Sequence, residues 1–157
     1  MEREKTCCFT GHRHISEHFI RPILKQAIWD LVKISGVTNF CNGGALGFDL
    51  LAAELVLALK QELPEVFLAM YLPCPEQAER WPMAARLRYE NILAAADKVL
   101  YLAPSYYPGC MQQRNRALVD ASAYCLCFCI KNSGGTAYTM RYATKKGLIL
   151  HNLAAEI

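Results

Sequence analysis

Three glycine-containing turns are the segments of this sequence whose residue types are best suited to binding an anion. They lie at Thr10–Arg13 (TGHR), Asn42–Gly47 (NGGALG) and Ser133–Thr136 (SGGT). Glycine lets a ligand approach the backbone closely, and the free N–H groups at the start of a helix attract negative charge. The second and third turns lead directly into predicted helices, and Asp49 stands at the start of the first of these. The turns therefore predict a site for a phosphorylated ligand.

The elements that must position these turns alternate along the chain. Apolar patterning and turn residues predict strands at Thr6–Thr10, Val37–Cys41, Val66–Leu72, Lys98–Leu102, Tyr124–Ile130 and Leu148–Asn152. The same signals predict helices at Phe19–Ile34, Phe48–Leu63, Glu76–Ala96 with an interruption near Pro82, about Met111–Ser122, and Thr136–Lys146. Strands that alternate with helices form a mostly parallel sheet with helices on both faces. The predicted fold class is a single-domain, doubly wound α/β fold over residues 1–157.

In a doubly wound sheet the loops after the strands meet at one edge, and ligands bind where the strand order reverses. We expect all three glycine turns at this edge. The ligand contacts predicted there are Gly11, Arg13, Gly44, Gly47, Asp49, Arg114, Gly135 and Thr136. Asp49 has two interpretations, because the dipole at a helix start favours an acid whatever the function, and its carboxylate could also accept a ribose hydroxyl. His12 and His14 are either exposed turn residues or a general base.

Composition and charge limit the class of protein. With 157 residues, 54% of them hydrophobic and 20% charged, the chain can bury the core of one globular domain, which excludes a disordered tail. The formal net charge of +3 permits an anionic ligand but is too small for a dedicated nucleic-acid coat protein. There is no signal segment, and no apolar run approaches the roughly 20 residues of a membrane span. We therefore expect a cytoplasmic protein.

The eight cysteines lie mostly inside apolar runs, which indicates reduced core residues rather than a disulfide framework. Cys125, Cys127 and Cys129 alternate along a predicted strand and therefore share one of its faces. Thiols in that arrangement are poorly placed for tetrahedral zinc. We expect no metal site.

The sequence contains neither a Walker A pattern nor a GxGxxG fingerprint, which argues against ordinary NTPases and dinucleotide dehydrogenases. Four ordered motifs nevertheless resemble a known family. They are CCFTGHR, GGALGFDLLAAE, QQRNRALVDAS and SGGTAYTMRYA, and with the run that holds Trp81 and Tyr89 they cover nearly the whole chain. The chain resembles the YpsA-like family of uncharacterised proteins in the SLOG superfamily, which includes the DprA-type DNA-processing proteins and the lysine decarboxylase-like LOG phosphoribohydrolases. The resemblance implies a Rossmann-like domain that binds a nucleotide or a nucleotide-derived ligand.

The resemblance also implies ligand-binding roles for particular residues in each motif. These are Gly11 and Arg13, then Gly44, Gly47 and Asp49, then Arg114 and Asn115, and finally Gly134, Gly135 and Thr136. The chain departs from the LOG enzymes after the Gly-Gly turn, where Thr139 stands in place of their acidic residue. A neutral hydroxyl cannot replace a carboxylate that stabilises an oxocarbenium-like centre or activates water. The LOG reaction is therefore not implied.

Three functions remain open at this point. The first is a sensor-like domain that binds a nucleotide or an ADP-ribose-like ligand without an assigned reaction. The second is a nucleotide-processing hydrolase of the phosphoribohydrolase type that uses Asp49 or another acid. The third is a DNA-binding or assembly module of the DprA-like kind. A small-molecule nucleotide is the expected partner, nucleic acid is not favoured, no membrane is expected, and a homo-oligomer stays open.

Overall fold

The computed structural model describes all 157 residues, which form six strands alternating with five helices. The strands are β1 (Thr6–Gly11), β2 (Asn39–Asn42), β3 (Phe67–Leu72), β4 (Lys98–Tyr101), β5 (Tyr124–Phe128) and β6 (Ile149–Asn152). The helices are α1 (Glu17–Lys33), α2 (Phe48–Glu62), α3 (Met83–Ala95), α4 (Cys110–Asp120) and α5 (Gly135–Lys145). Single turns of 3-10 helix lie at Arg3–Lys5 and Leu153–Glu156. None of the helices has the length and apolar content needed to cross a membrane.

The six strands form one sheet in the order β4-β3-β2-β1-β5-β6, and every neighbouring pair is parallel. The chain runs outward from β1 to β4 and then crosses back to β5, so the strand order reverses between β1 and β5. Helices α1, α2 and α3 pack against one another on one face, while α4 and α5 pack together on the other. The predicted doubly wound α/β fold is confirmed.

Two hydrophobic cores lie on the two faces of this sheet. The larger core contains Phe9, Phe40 and Phe48, and the rings of Phe9 and Phe40 stack with their centroids 5.8 Å apart. Helix α2 is apolar on nearly every side because it lies between α1, α3 and the sheet. The smaller core lies beneath α4 and α5 and includes four of the cysteines.

Those four cysteines are buried side by side in neighbouring strands. Cys8 on β1 pairs in register with Cys41 on β2 and with Cys125 on β5, and Cys127 lies two residues further along β5. Burial raises the pKa of Cys41 to about 12 and raises that of Cys7. Such thiols stay protonated and pack as small apolar side chains.

One predicted element is substantially shorter in the structure. The helix expected over Glu76–Ala96 begins only at Met83, and the residues from 76 to 81 form turns. Pro82 is the N-cap residue of α3, with an extended ψ of 150°. Proline lacks the N–H that a helix interior needs and disfavours the helical conformation in the residue before it, so the helix begins only after Pro82. The other helices and strands differ from their predicted bounds by two residues or fewer.

Candidate ligand-binding cleft at the carboxyl edge of the sheet

A cleft of about 530 Å³ lies beyond the carboxyl ends of β1 and β5, at the point where the strand order reverses. Ligands of doubly wound proteins bind at this position. Eight of the predicted site residues line the cleft. They are Gly11, Arg13, Asp49, Arg114, Asn115, Gly134, Gly135 and Thr136. The first and third glycine turns and the arginine motif thus meet in one place.

Gly44 and Gly47 are the two predicted site residues that do not line the cleft. Both have a positive φ, +67° and +79°, which side chains other than glycine rarely adopt. A Cβ atom on Gly47 would lie 2.2 Å from the carbonyl oxygen of Arg13. Gly47 therefore lets the second turn pack against the loop after β1, and direct contact of either glycine with a ligand stays a prediction.

Asn42, the last residue of β2, fixes the second turn through its side chain. Its Oδ1 atom accepts a hydrogen bond from Gly44 N–H at 2.7 Å, and its Nδ2 atom donates to the carbonyl of Asp49 at 2.8 Å. Sequence reasoning gave Asn42 no role beyond the turn. Its position between a buried strand and a Gly-Gly pair is the signal that could have identified it.

Asp49 is a buried acid with an unused acceptor atom. It lies in the first turn of α2, is 5% exposed, and lines the cleft. Its Oδ2 atom accepts a hydrogen bond from Ala45 N–H at 3.2 Å, whereas its buried Oδ1 atom has no hydrogen-bond partner. Burial raises the pKa of Asp49 to about 6, and the nearby positive charge of Arg114 opposes that rise. At neutral pH the group is a carboxylate that can accept a further hydrogen bond.

Arg114 on α4 is also 5% exposed, and the fold occupies much of its guanidinium. Its Nη1 atom donates to the carbonyl of Gly43 at 2.5 Å and to Oε1 of Gln77 at 3.0 Å. Its Nε atom donates to Oδ1 of Asn115 at 2.9 Å. Burial lowers the pKa of Arg114, and Asp49 opposes this effect. Arg114 therefore holds the second turn through Gly43, Asn115 orients the guanidinium of Arg114, and both residues line the cleft.

Gln77 is a second residue that sequence reasoning missed. Its Nε2 atom donates to the same Gly43 carbonyl at 3.2 Å and to the hydroxyl of Tyr89 at 3.4 Å. The ring of Tyr89 packs edge-on against Trp81 with their centroids 5.1 Å apart. No local pattern marks Gln77, because its partners lie 12 to 37 residues away in the chain.

The third turn brings the N-terminus of α5 to the cleft without any capping side chain. Gly134 is the N-cap residue with a φ of +98°, and both Gly134 and Gly135 are exposed. No atom lies within 4 Å of the position that a Cβ would take on either glycine. The hydroxyl of Thr136 neither caps the helix nor forms another hydrogen bond. The first N–H groups of α5 thus face an open space large enough for an anion.

Two known structures have the same fold. DNA processing protein A from Helicobacter pylori, studied for its single-stranded DNA binding mode, superposes with a TM-score of 0.67 over 94% of this chain and 64% of that chain, at 20% identity. DNA processing protein A from Streptococcus pneumoniae gives a TM-score of 0.68 over 92% of this chain and 48% of that chain, at 17% identity. At these identities the likeness shows the fold alone. The chain spans less than two thirds of each of these proteins.

Sequence comparison is more specific. UPF0398 protein BH1768 from Halalkalibacterium halodurans is 36% identical over 139 residues, which cover 87% of this chain and 73% of that protein. A UPF0398 protein from Bacillus thuringiensis is 34% identical over 139 residues, covering 87% and 75% respectively. Residues 3–151 match the model of the YspA SLOG family, which confirms the resemblance seen in the motifs. With these residues folded into the expected sheet, the chain belongs to the YspA SLOG family.

Proposed function

We propose that the cleft binds a nucleotide or a nucleotide derivative, with a phosphate at the N-terminus of α5 and a sugar hydroxyl at Asp49. The observation that carries this proposal is that Asp49, whose buried Oδ1 atom has no hydrogen-bond partner, lines the same cleft as the uncapped first turn of α5. An anion-binding end and a hydroxyl-binding end in one cleft match a phosphorylated sugar. The proposed role is binding, with no assigned reaction.

The phosphate end is supported by free N–H groups and by charge. The first turn of α5 supplies backbone donors and the positive end of the helix dipole, and exposed Arg13 and Lys131 line the same cleft. A charge-assisted hydrogen bond contributes about 1.5 to 3 kcal/mol. Two or three such bonds would hold a phosphate with useful affinity.

The hydroxyl end is supported by the cost of leaving a buried polar atom without a partner. A buried acceptor that lacks a hydrogen bond costs about 1 to 3 kcal/mol. This cost applies to Asp49 in the free protein, because Ala45 N–H donates only to its Oδ2 atom and Oδ1 has no partner. A ligand hydroxyl that donates to Oδ1 would remove the cost, which makes Asp49 selective for a sugar over inorganic phosphate.

The proposal is tested by calorimetric titration of the protein with ADP-ribose, AMP, ribose 5-phosphate and inorganic phosphate. Gly135→Val should abolish binding because its branched side chain fills the open space before α5, whereas Gly135→Ala should weaken it less. Asp49→Asn should reduce the affinity for the sugar phosphates about tenfold and leave that for phosphate unchanged. Asp30→Asn, on α1, is the matched control. Failure of all four compounds to bind would refute the proposal, as would full binding by Gly135→Val.

A hydrolase of the phosphoribohydrolase type is the second candidate, and the state of Asp49 favours it. A buried carboxyl with a free oxygen and a pKa of about 6 is suited to proton transfer near neutral pH. The reaction would add water to AMP and release adenine and ribose 5-phosphate. Chromatography after incubation distinguishes the two functions, because a binding domain returns AMP intact. Asp49→Asn should stop any cleavage that is seen.

A third candidate, binding of single-stranded nucleic acid, is favoured by the outer face of α5. That helix carries Arg141 and Lys145 and no acidic residue, with Lys146 directly after it. Tyr142 lies between Arg141 and Lys145 along the helix and Tyr138 lies one turn before them, and Lys146 Nζ lies 5.4 Å from the ring centroid of Tyr142. Aromatic side chains among cations stack on bases. Fluorescence anisotropy with an oligothymidylate should then show affinity falling by roughly one log unit per log unit of salt for each phosphate contacted.

A further inference from the structure

The turn between β5 and α5 is held in place by side chains. None of the backbone N–H groups in residues 129–133 donates to a backbone carbonyl. Instead the turn is anchored by Asn152 of β6, by Arg141 of α5 and by His12 of the loop after β1. A loop with few internal hydrogen bonds opens readily unless such contacts hold it. These three side chains therefore hold the turn that leads into α5.

His12 holds the middle of the turn through a single nitrogen atom. Its Nε2 atom accepts a hydrogen bond from Ile130 N–H at 2.8 Å and a longer one from Lys131 N–H at 3.5 Å. An Nε2 atom that accepts belongs to a neutral imidazole whose proton is on Nδ1. The ring is oriented by Phe128, which lies edge-on to it with the centroids 6.1 Å apart, and the backbone N–H of His12 donates to the Phe128 carbonyl at 3.3 Å.

We propose that His12 is a positioning residue for the anion-binding turn and that ligand binding requires its unprotonated Nε2 atom. This inference rests on the proposed function, because it concerns the turn that would receive the phosphate. Protonation converts the acceptor into a donor that faces two other N–H groups, so both hydrogen bonds are lost and the turn is released. Acidification should then weaken binding, although a charged imidazole would by itself attract an anion.

The charged groups near the imidazole lie on the turn itself, on the loop after β1 and on α5, whereas β6 contributes the uncharged Asn152. Lys131 lies on the turn itself, Arg13 and His14 lie on the loop after β1, and Arg141 lies on α5. Burial and the charge of Lys131 both lower the pKa of the histidine. Asp49, at the start of α2, also titrates in mild acid because its pKa is about 6. The test must therefore compare variants that all retain Asp49.

The test measures the affinity for ADP-ribose at about pH 7.5 and about pH 5.5, across the range in which histidine changes its charge. Both phosphates of ADP-ribose are esterified, so the probe itself does not titrate in this range. His12→Gln provides an amide oxygen that can accept the same hydrogen bonds at either pH, and exposed His18 supplies the control variant, His18→Gln. On acidification the wild type and His18→Gln should each lose about fivefold more affinity than His12→Gln. Equal losses in all three, or a smaller loss in the wild type, would overturn the proposal.

A second measurement does not need a ligand. Nitrogen-15 NMR of the free protein should show Nε2 of His12 unprotonated at neutral pH, and the amide proton of Ile130 should shift as the imidazole titrates. A proton on Nε2 at neutral pH, or an Ile130 amide that ignores the titration, would refute the role of His12. If the wild type binds none of ADP-ribose, AMP, ribose 5-phosphate and inorganic phosphate at any pH, the proposed function fails instead, and NMR alone decides the role of His12.

Discussion

Two arginines, on helices at opposite faces of the sheet, differ in the groups that balance their charge. Arg88 of α3 donates four hydrogen bonds to two carboxylates, at 3.0 and 3.1 Å to Glu17 of α1 and at 2.6 and 3.1 Å to Glu54 of α2. Arg114 is more deeply buried, yet its donors contact carbonyl, amide and thioether groups rather than a carboxylate. The acid that influences it through space is Asp49.

The two sets of contacts have different consequences. Those of Arg88 complete the fold, whereas those around Arg114 leave hydrogen-bonding capacity for a ligand. The two glutamates raise the pKa of Arg88, and the network joins α1, α2 and α3 with four of the five N–H donors of Arg88 bonded to carboxylates. In the cleft, Asp49 keeps an unpartnered oxygen and burial lowers the pKa of Arg114. A buried charge without a direct ion partner is costly in itself, so this region is where a bound ligand can stabilise the protein.

Removing Arg114, the more deeply buried arginine, should give the largest loss of stability. Arg114→Met takes away the donors to Gly43 and Gln77 and leaves Asp49 as a buried acid with only exposed Arg13 as a nearby cation. We expect the free energy of unfolding in urea to fall by about 3 kcal/mol at neutral pH. Arg116→Met, two residues along the same helix, removes an exposed hydrogen bond to the Tyr138 hydroxyl and should leave the free energy of unfolding nearly unchanged. A loss at Arg114 as small as that at Arg116 would show that the buried contacts contribute little.

Asp49→Asn should change how stability depends on pH. The pKa of Asp49 is raised to about 6 by burial, whereas the unfolded chain has an ordinary aspartate, so the folded state binds the extra proton between these values. The contribution of this group to stability is therefore present in acid and is lost as pH rises through 6. Relative to Asp49→Asn, the wild type should lose about 2 kcal/mol between about pH 4 and pH 7. Parallel pH profiles for the two proteins would contradict this.

Removing the shallower arginine should cost less. Arg88→Met breaks a network whose side chains are about one third exposed, where water screens the charges. We expect a loss of about 1 kcal/mol in urea, smaller at high salt, with no change in the affinity for ADP-ribose. Salt-independent destabilisation, or a loss as large as that for Arg114→Met, would mean that the two arginines differ less than their contacts indicate.

Glu17→Gln should give the smallest effect of the series. Arg88 keeps its two hydrogen bonds to Glu54 and can still donate to the new amide oxygen, so only the charge interactions of Glu17 with Arg88 and with exposed Arg21 are lost. The expected change is about 0.5 kcal/mol, and a double-mutant cycle with Arg88→Met should return a coupling energy of the same size. A coupling energy near zero would show that Glu17 adds nothing to the network.

Local sequence patterns were enough to predict most of the fold. They failed for the segment before Pro82 and for contacts between residues that are far apart in the chain. The helix after β3 was predicted from Glu76, yet the stretch up to Pro82 forms turns and places Gln77 against the second glycine turn. The glycine turns after β1, β2 and β5 were recognisable because each is a local departure from apolar periodicity. The role of Gly47 in packing against Arg13 was not recognisable from the sequence, because it depends on contact with a neighbouring loop.

Short motifs and their order were enough to predict the alternation of strands and helices, the edge at which the glycine turns meet and the family to which the chain belongs. Which polar atoms have hydrogen-bond partners depends instead on contacts between distant parts of the folded chain. Arg114 meets the carbonyl of Gly43 across 71 residues, and His12 meets Ile130 across 118. Contacts at such separations exist only after the sheet has formed. The spacing of residues along the chain therefore does not show which buried polar atoms lose water without gaining a hydrogen-bond partner.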